Sequence, residues 1–334
     1  MRLERLTLSD WEAALPRTGF EPFHTPAALS VLDDHASGDL HLFAGYKGQN
    51  PVALLPLFIQ RHAVGSMVTS PPPGFSVPRL GPIVMPASPK QRKRERLNRR
   101  FAEAIVEETD IDSPTTLFRM VANTAYTDPR PFVWSDFSLD TSFTYVLDVA
   151  DTTPEELLAD CSKSLRREIR DARDLDVTIQ QEGLAGAKAI YDRTDERYAE
   201  QDEEFALSWE YVRDLIEALD ERARVYVARD PDGDFLSGVT ALYSNDAAYF
   251  WQGGARGEYN GTTVNSLIHW RILEDIAEEP PIESVTQYDL MGANTERLCR
   301  YKSKFGASLE PYYVFESSGP QMQLAKRAYQ AISR

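Results

Sequence analysis

Residues 224–252 read RVYVARDPDGDFLSGVTALYSNDAAYFWQ, and the punctuation of this stretch decides the fold. Its runs 224–229, 235–243 and 247–252 are rich in Val, Tyr, Phe and Leu, side chains that suit a pleated, half-buried surface. The turns between them, Asp230-Pro231-Asp232-Gly233 and Ser244-Asn245-Asp246, are short and built from turn-forming residues. Three strands joined this way form an antiparallel meander. A helix is predicted before it, over 206–219. After it, a glycine-rich loop opens a second helix with Val264, Leu267, Ile268, Ile272 and Ile276 on one face, and a strand follows over 284–290.

The same order occurs upstream. A helix over 26–35 precedes strands at 40–46, 52–60 and 66–70, with turns at Lys47-Gly48-Gln49-Asn50 and at Gly65. A proline-rich loop, 71–89, leads to a helix with Leu97, Phe101, Ala104 and Ile105 on one face, then to a strand at 115–121. Identity between the copies is negligible, but the repeated order implies duplication of one mixed α/β layer unit. We therefore expect two lobes, 1–149 and 150–318, with the active site in the second, and a C-terminal helix in 319–334. The strand 143–149 and a helix over 153–174 would join them. Residues 24–122 should superpose on 205–290.

Composition narrows the function. At 334 residues and 42% hydrophobic, the chain can bury two ordinary cores. It has no apolar run near the ~18 residues that span a bilayer, and its charged first ten residues lack a signal peptide, so a cytoplasmic protein is expected. Cys161 and Cys299 are its two cysteines, and the five histidines lack metal-ligand spacing, so neither disulfide nor metal site is expected. Acids outnumber bases 52 to 36, for a net charge of −16, and eight of the bases are lysine. Such a surface suits a cytoplasm of very high salt and weighs against general nucleic-acid affinity.

Three stretches carry candidate chemistry. Tyr288-Asp289-Leu290-Met291-Gly292-Ala293-Asn294 is a strand running into a tight loop, with Asp289 at the carboxyl end and Gly292 free to take φ > 0. Then Lys302 and Lys304 stand two apart in Tyr301-Lys302-Ser303-Lys304-Phe305-Gly306. They form either a solvated helix end capped at Gly306 or a cation set against a reacting carbonyl or phosphate. In the loop after the meander, Gln252, Gly253, Gly254, Arg256 and Gly257 mark either a plain turn or an anion-binding junction at a helix start. On the joining helix, Lys163, Arg166, Arg167, Arg170 and Arg173 recur at helical spacing opposite Leu165, Ile169 and Ala172. That stripe is either a salt-bridged solvated face or a phosphate site. Seven bases in 90–100 read as an exposed surface.

Taken together, Phe23-His24-Thr25-Pro26, Asp128-Pro129-Arg130-Pro131-Phe132-Val133-Trp134, Ser164-Leu165-Arg166-Arg167-Glu168-Ile169 and the run from Tyr288 to Gly306 resemble the FemAB-like family. The resemblance spans about residues 22–316. It implies an α/β chain of two tandem GNAT-like lobes, each a mixed, mostly antiparallel sheet flanked by helices. It also implies an acyltransferase moving an acyl or aminoacyl group to an amine of a small or cell-envelope precursor substrate. Acyl-CoA or aminoacyl-tRNA would be the donor, with no tightly bound cofactor, and tRNA joins the small-molecule amine among the implied partners. The loop 252–257 resembles the GNAT pyrophosphate loop, with Ala255 replacing its first glycine. The family's aromatic–lysine pair falls on Tyr301 and Lys302, with tyrosine in place of phenylalanine.

Acyl transfer needs a neutral amine, a proton acceptor and oxyanion stabilisation. Lys302 would stabilise the oxyanion, Asp289 is the leading base, and Tyr301, Gly292, Asn294, Lys163, Arg166 and Arg170 would bind substrate. The alternatives are an acyl-CoA-dependent GNAT acting on an amino sugar or small amine, and a binding module without turnover.

Overall fold

Thr25 accepts a hydrogen bond from the Ala28 amide, and Pro26 sets the first turn, so the helix Pro26–His35 starts where the sequence predicts. The computed structural model describes residues 1–253 and 256–318. It divides into two units, Met1–Ser142 together with the chain from Pro311, and Phe143–Glu310.

The first unit contains β1 (Arg2–Leu6), α1 (Leu8–Ala14), α2 (Pro26–His35), β2 (Asp39–Lys47), β3 (Asn50–Arg61), β4 (Ser66–Ser70), β5 (Ile83–Val84), α3 (Gln91–Thr109), β6 (Thr116–Val121) and α4 (Arg130–Val133). β1 to β4 are antiparallel neighbours, and β6 lies parallel to β4. A parallel neighbour needs a long crossover, which α3 provides. Its apolar stripe buries Phe101, Ala102 and Ile105 in a core with Phe43, Leu55 and Phe118.

Next come β7 (Ser138–Asp148), α5 (Pro154–Asp160), α6 (Lys163–Arg173), β8 (Thr178–Glu182), α7 (Leu184–Ala199), α8 (Trp209–Leu219), β9 (Ala223–Arg229), β10 (Phe235–Tyr243) and β11 (Ala247–Gly253). The hairpin β12 (Glu258–Tyr259) and β13 (Thr262–Thr263), then α9 (Asn265–Glu278), β14 (Gln287–Asp289), α10 (Glu296–Lys302) and β15 (Ser308–Glu316) complete the described chain. In the second unit β8 to β11 are antiparallel neighbours, β14 lies parallel to β11, and β7 runs antiparallel to β14. The core gathers around α9, where Ile268, Trp270 and Ile272 are fully buried. Each such side chain contributes about 1.5–3 kcal/mol.

The first unit is closed by β15, antiparallel to β6. The strands of the two units thus share one order and one set of directions, β1-β2-β3-β4-β6-β15 against β8-β9-β10-β11-β14-β7. Duplication accounts for this, with the closing strands exchanged: the last described strand completes the first unit, and β7 completes the second.

Several expectations are corrected. Each meander has four strands, because the sparsely buried β1 and β8 were not recognised. Residues 143–149 do not join the lobes but close the second, and Pro311 onward returns to the first. The helix expected over 153–174 breaks at Cys161, because Ser162 caps α6 by accepting from the Leu165 amide. The strand expected over 284–290 shortens to β14. The expected C-terminal helix lies outside the described residues. Among the described residues no helix is long and apolar enough to cross a membrane.

Candidate active site

β11 and β14 pair over Ala247↔Gln287, Ala248↔Tyr288 and Tyr249↔Asp289. Beyond that they part. β11 continues along β10 to Gly253, with a register shift that places Trp251 in a bulge. β14 turns through Met291 (φ +54°) and Gly292 (φ +65°), while Leu290 and Ala293 keep their backbone bonds to Tyr145 and Phe143 of β7. The carboxyl ends of the parallel pair therefore border a notch, the usual place for a ligand in such sheets. In the first unit the equivalent pair holds five registers, Ser66↔Thr116 to Ser70↔Met120, and a Leu80↔Ala122 bridge extends it. That region is braced further by His24 Nε2 on Gly81 O (3.1 Å) and by the buried Arg79–Glu21 ion pair (2.9 Å). The second unit alone has the parted strands.

Lys302 ends α10 beside this notch and is 5% exposed. Its ammonium donates to Met291 O and Gly292 O (3.0 Å) and lies 5.6 Å from the Phe250 ring centre. An ammonium carries three N–H groups; the third has no partner among the described residues. Burial lowers its pKa to about 8, partly offset by Asp289 and Cys299. Asp289 is buried, and its Oδ1 accepts from Thr144 Oγ1 (2.5 Å) and the Met291 amide (2.7 Å). The carboxylate thus shapes the loop whose carbonyls hold Lys302.

Aromatic rings line the same neighbourhood. His269 is buried among Phe250, Tyr301 and Phe305, with Nδ1 hydrogen-bonded to Tyr288 OH at 2.8 Å. Burial, with help from the Lys302 cation, lowers its pKa to about 3, so the imidazole is neutral at pH 7. Tyr301 OH lies 3.5 Å from Ser266 Oγ, and burial pushes its pKa up to about 12. Ser266 donates to Glu168 (3.0 Å), whose other oxygen accepts from Lys304 (2.9 Å). Glu168 lines a cleft of about 690 Å³ with Lys163, Arg167, Arg256, Thr262 and Thr263.

Along the loop before α9 the predicted residues take different places. Gln252 is buried at the end of β11, and its Nε2 has no hydrogen-bond partner. Gly253 still belongs to β11, where a Cβ would lie 2.6 Å from Gly238 O. Gly254 is outside the described residues. Arg256 is exposed and paired with Glu258 (2.7 Å). The Gly257 amide is not open to a phosphate, because it donates to Asn265 Oδ1 (2.9 Å); its lack of a Cβ lets it pack on Leu236 O. α9 begins without a side-chain cap.

The basic stripe of α6 divides by helical angle. Lys163 and Arg167 face the cleft, where Arg167 pairs with Asp171 (3.3 Å). Arg166 instead donates to Ala159 O (2.6 Å) and Cys161 O (3.0 Å), satisfying the last carbonyls of α5. Arg170 is exposed away from the cleft lining. Asn294 spends its side chain on the Phe143 amide (2.8 Å) and carbonyl (3.2 Å), so it anchors the loop to β7. Substrate binding by Arg166 and Asn294 is therefore corrected to backbone support. Glu168 and Ser266 were missed as site residues, since nothing local marks them. The β12–β13 hairpin was also missed, although Asn260-Gly261 is its turn signal.

Residues 159–303, all within the second unit, match the acetyltransferase (GNAT) domain family model. No curated protein matches the chain by sequence. Among solved structures it is similar to FemX at a TM-score of 0.65 and 11% identity, over 94% of this chain and 97% of that one. The C-terminal domain of a putative lysylphosphatidylglycerol synthetase from Agrobacterium fabrum gives a TM-score of 0.56 at 14% identity, covering 97% and 96%. A tandem GNAT protein from the clavulanic acid pathway gives 0.52 at 14%, covering 96% and 99%. The fold is thus that of tandem GNAT proteins, and the resemblance to FemAB-like proteins holds at that level.

Proposed function

We propose that the second unit is an N-acyltransferase site that takes an acyl-CoA donor and an amine acceptor. One observation carries this reading: at the parted end of β11 and β14, Lys302 keeps one ammonium N–H without a protein partner among the described residues. A preorganised cation in a water-poor place stabilises charge that develops on a carbonyl oxygen. Lys302 is the oxyanion donor and Asp289 its positioning residue, acting through the Met291–Gly292 loop. The amine nitrogen bonds to the acyl carbon and the carbon–sulfur bond breaks, sending the electron pair to sulfur. Two carboxylates line the cleft; Asp171 pairs with Arg167 (3.3 Å), whereas each oxygen of Glu168 keeps a lone pair for the amine proton. Arg167, Lys163 and Arg256 supply cations for donor phosphates, beside the uncapped start of α9.

Amine-dependent thiol release from a panel of acyl-CoAs tests this, with aminoacyl-tRNA run in parallel. Turnover with a CoA thioester, reduced about 10²–10³-fold in Lys302→Met, is expected. Turnover with aminoacyl-tRNA alone would overturn the donor assignment, and none with either would overturn the activity.

A further inference from the structure

We infer that the first unit carries a separate binding site for a small polyanion, a ligand with two or more adjacent phosphates. A cleft of about 690 Å³ opens where the start of β1, the β2–β3 turn and the first turns of α3 meet. Six cations line it, Arg2, Lys47, Lys93, Arg94, Arg96 and Arg100, and no carboxylate does. In a chain of net charge −16 this is a local inversion of sign.

The cations are largely unspent. The side chains of Lys47, Lys93, Arg96 and Arg100 have no ion pair or hydrogen bond among the described residues, whereas Arg2 pairs with Glu4 (3.0 Å) and Arg94 donates to Gln91 (2.6 Å). Nearby, Arg99 on the same helix has its carboxylate, Glu103 at 2.7 Å. The placement also works against the helix. Lys93, Arg96 and Arg100 stand three and four residues apart, where like charges repel, and Lys93 lies in a first turn without an acid, at the positive end of the macrodipole. Stability does not account for such an arrangement, but an anionic ligand does.

The lining selects the ligand. Met1, Tyr46, Ala87 and Leu97 give the lining its apolar part, and every charged side chain in it is a cation, so the phosphates are what the site selects.

The test uses the full chain and inorganic tripolyphosphate, with binding measured by calorimetry at low salt. Lys93→Gln, Arg96→Gln and Arg100→Gln combined should weaken binding on the order of 10–100-fold, as expected for three exposed ion pairs. Arg92→Gln, outside the cleft, should leave it unchanged. The triple variant should melt no lower than the parent, since like-charge repulsion is relieved. No binding, equal binding by the triple variant, or a lower melting temperature with undiminished affinity would overturn the inference. So would tighter binding of single-stranded RNA or phosphatidylglycerol vesicles through these residues when tripolyphosphate fails to compete.

Discussion

Replacing Lys302 by methionine separates a residue that acts from one that merely holds a loop. Burial takes its pKa from 10.5 to about 8. At 1.36 kcal/mol per unit, the charged form in the folded protein costs about 3 kcal/mol relative to the unfolded chain. The sign follows from proton counts. Between pH 8 and 10.5 the unfolded chain holds a proton that the folded one lacks, so stability rises with pH across that window, and the burden is greatest below it. Lys302→Met removes the burden. The carbonyls it abandons belong to half-buried Met291 and Gly292, where water can replace the ammonium. The variant should therefore melt no lower than the parent at pH 7 and lose the rise in stability between pH 8 and 10.5. Turnover should fall about 10²–10³-fold, the cost of losing an oxyanion donor, with little change in KM. In the parent, kcat should decline as pH rises through about 8. Initial acyl-transfer rates and circular-dichroism melts from pH 7 to 10 measure both. Lys188→Met, on α7, is the control; Lys304 is unsuitable because it pairs with Glu168. A parallel drop in melting temperature and rate would refute the reasoning and make Lys302 a structural anchor.

Three further outcomes can be checked. His24 and His269 are buried with pKa values lowered to about 4 and about 3, so below 6.5 the unfolded chain binds protons that the folded one refuses. From pH 7 to 5 each should cost about 2 kcal/mol of stability, and an unchanged urea midpoint would contradict this. Arg166→Ala should lower stability by about 1–2 kcal/mol and spare donor affinity, whereas Arg167→Ala should do the reverse and flatten the salt dependence of binding. Gly257→Ala places a Cβ 2.6 Å from Leu236 O, so a loss of about 1–3 kcal/mol, with weakened donor binding, is expected from melting and titration.

What could be read from the sequence was whatever depends on neighbours along the chain. The turns at 230–233 and 244–246, the apolar face of α9 and the αL glycine Gly306 after α10 are local, and they disclosed the duplicated unit. The lysine-poor composition singled out Lys302 without showing what it touches. β1 and β8 escaped because edge strands bury too little to show a pattern. The tertiary structure alone decided the rest. The exchange of β7 and β15 depends on pairing between segments more than a hundred residues apart. Adjacent arginines on α6 took unlike tasks, because successive side chains point about 100° apart and only Arg166 meets the end of α5. Which unit holds a site turned on whether one parallel strand pair stays closed, as β4 and β6 do, or parts after three residues, as β11 and β14 do. That is set by what each chain end bonds to next: Leu80 bridges to Ala122 in the first unit, while β14's continuation follows β7 in the second. Such partners are distant in sequence, so no reading of local pattern could assign them.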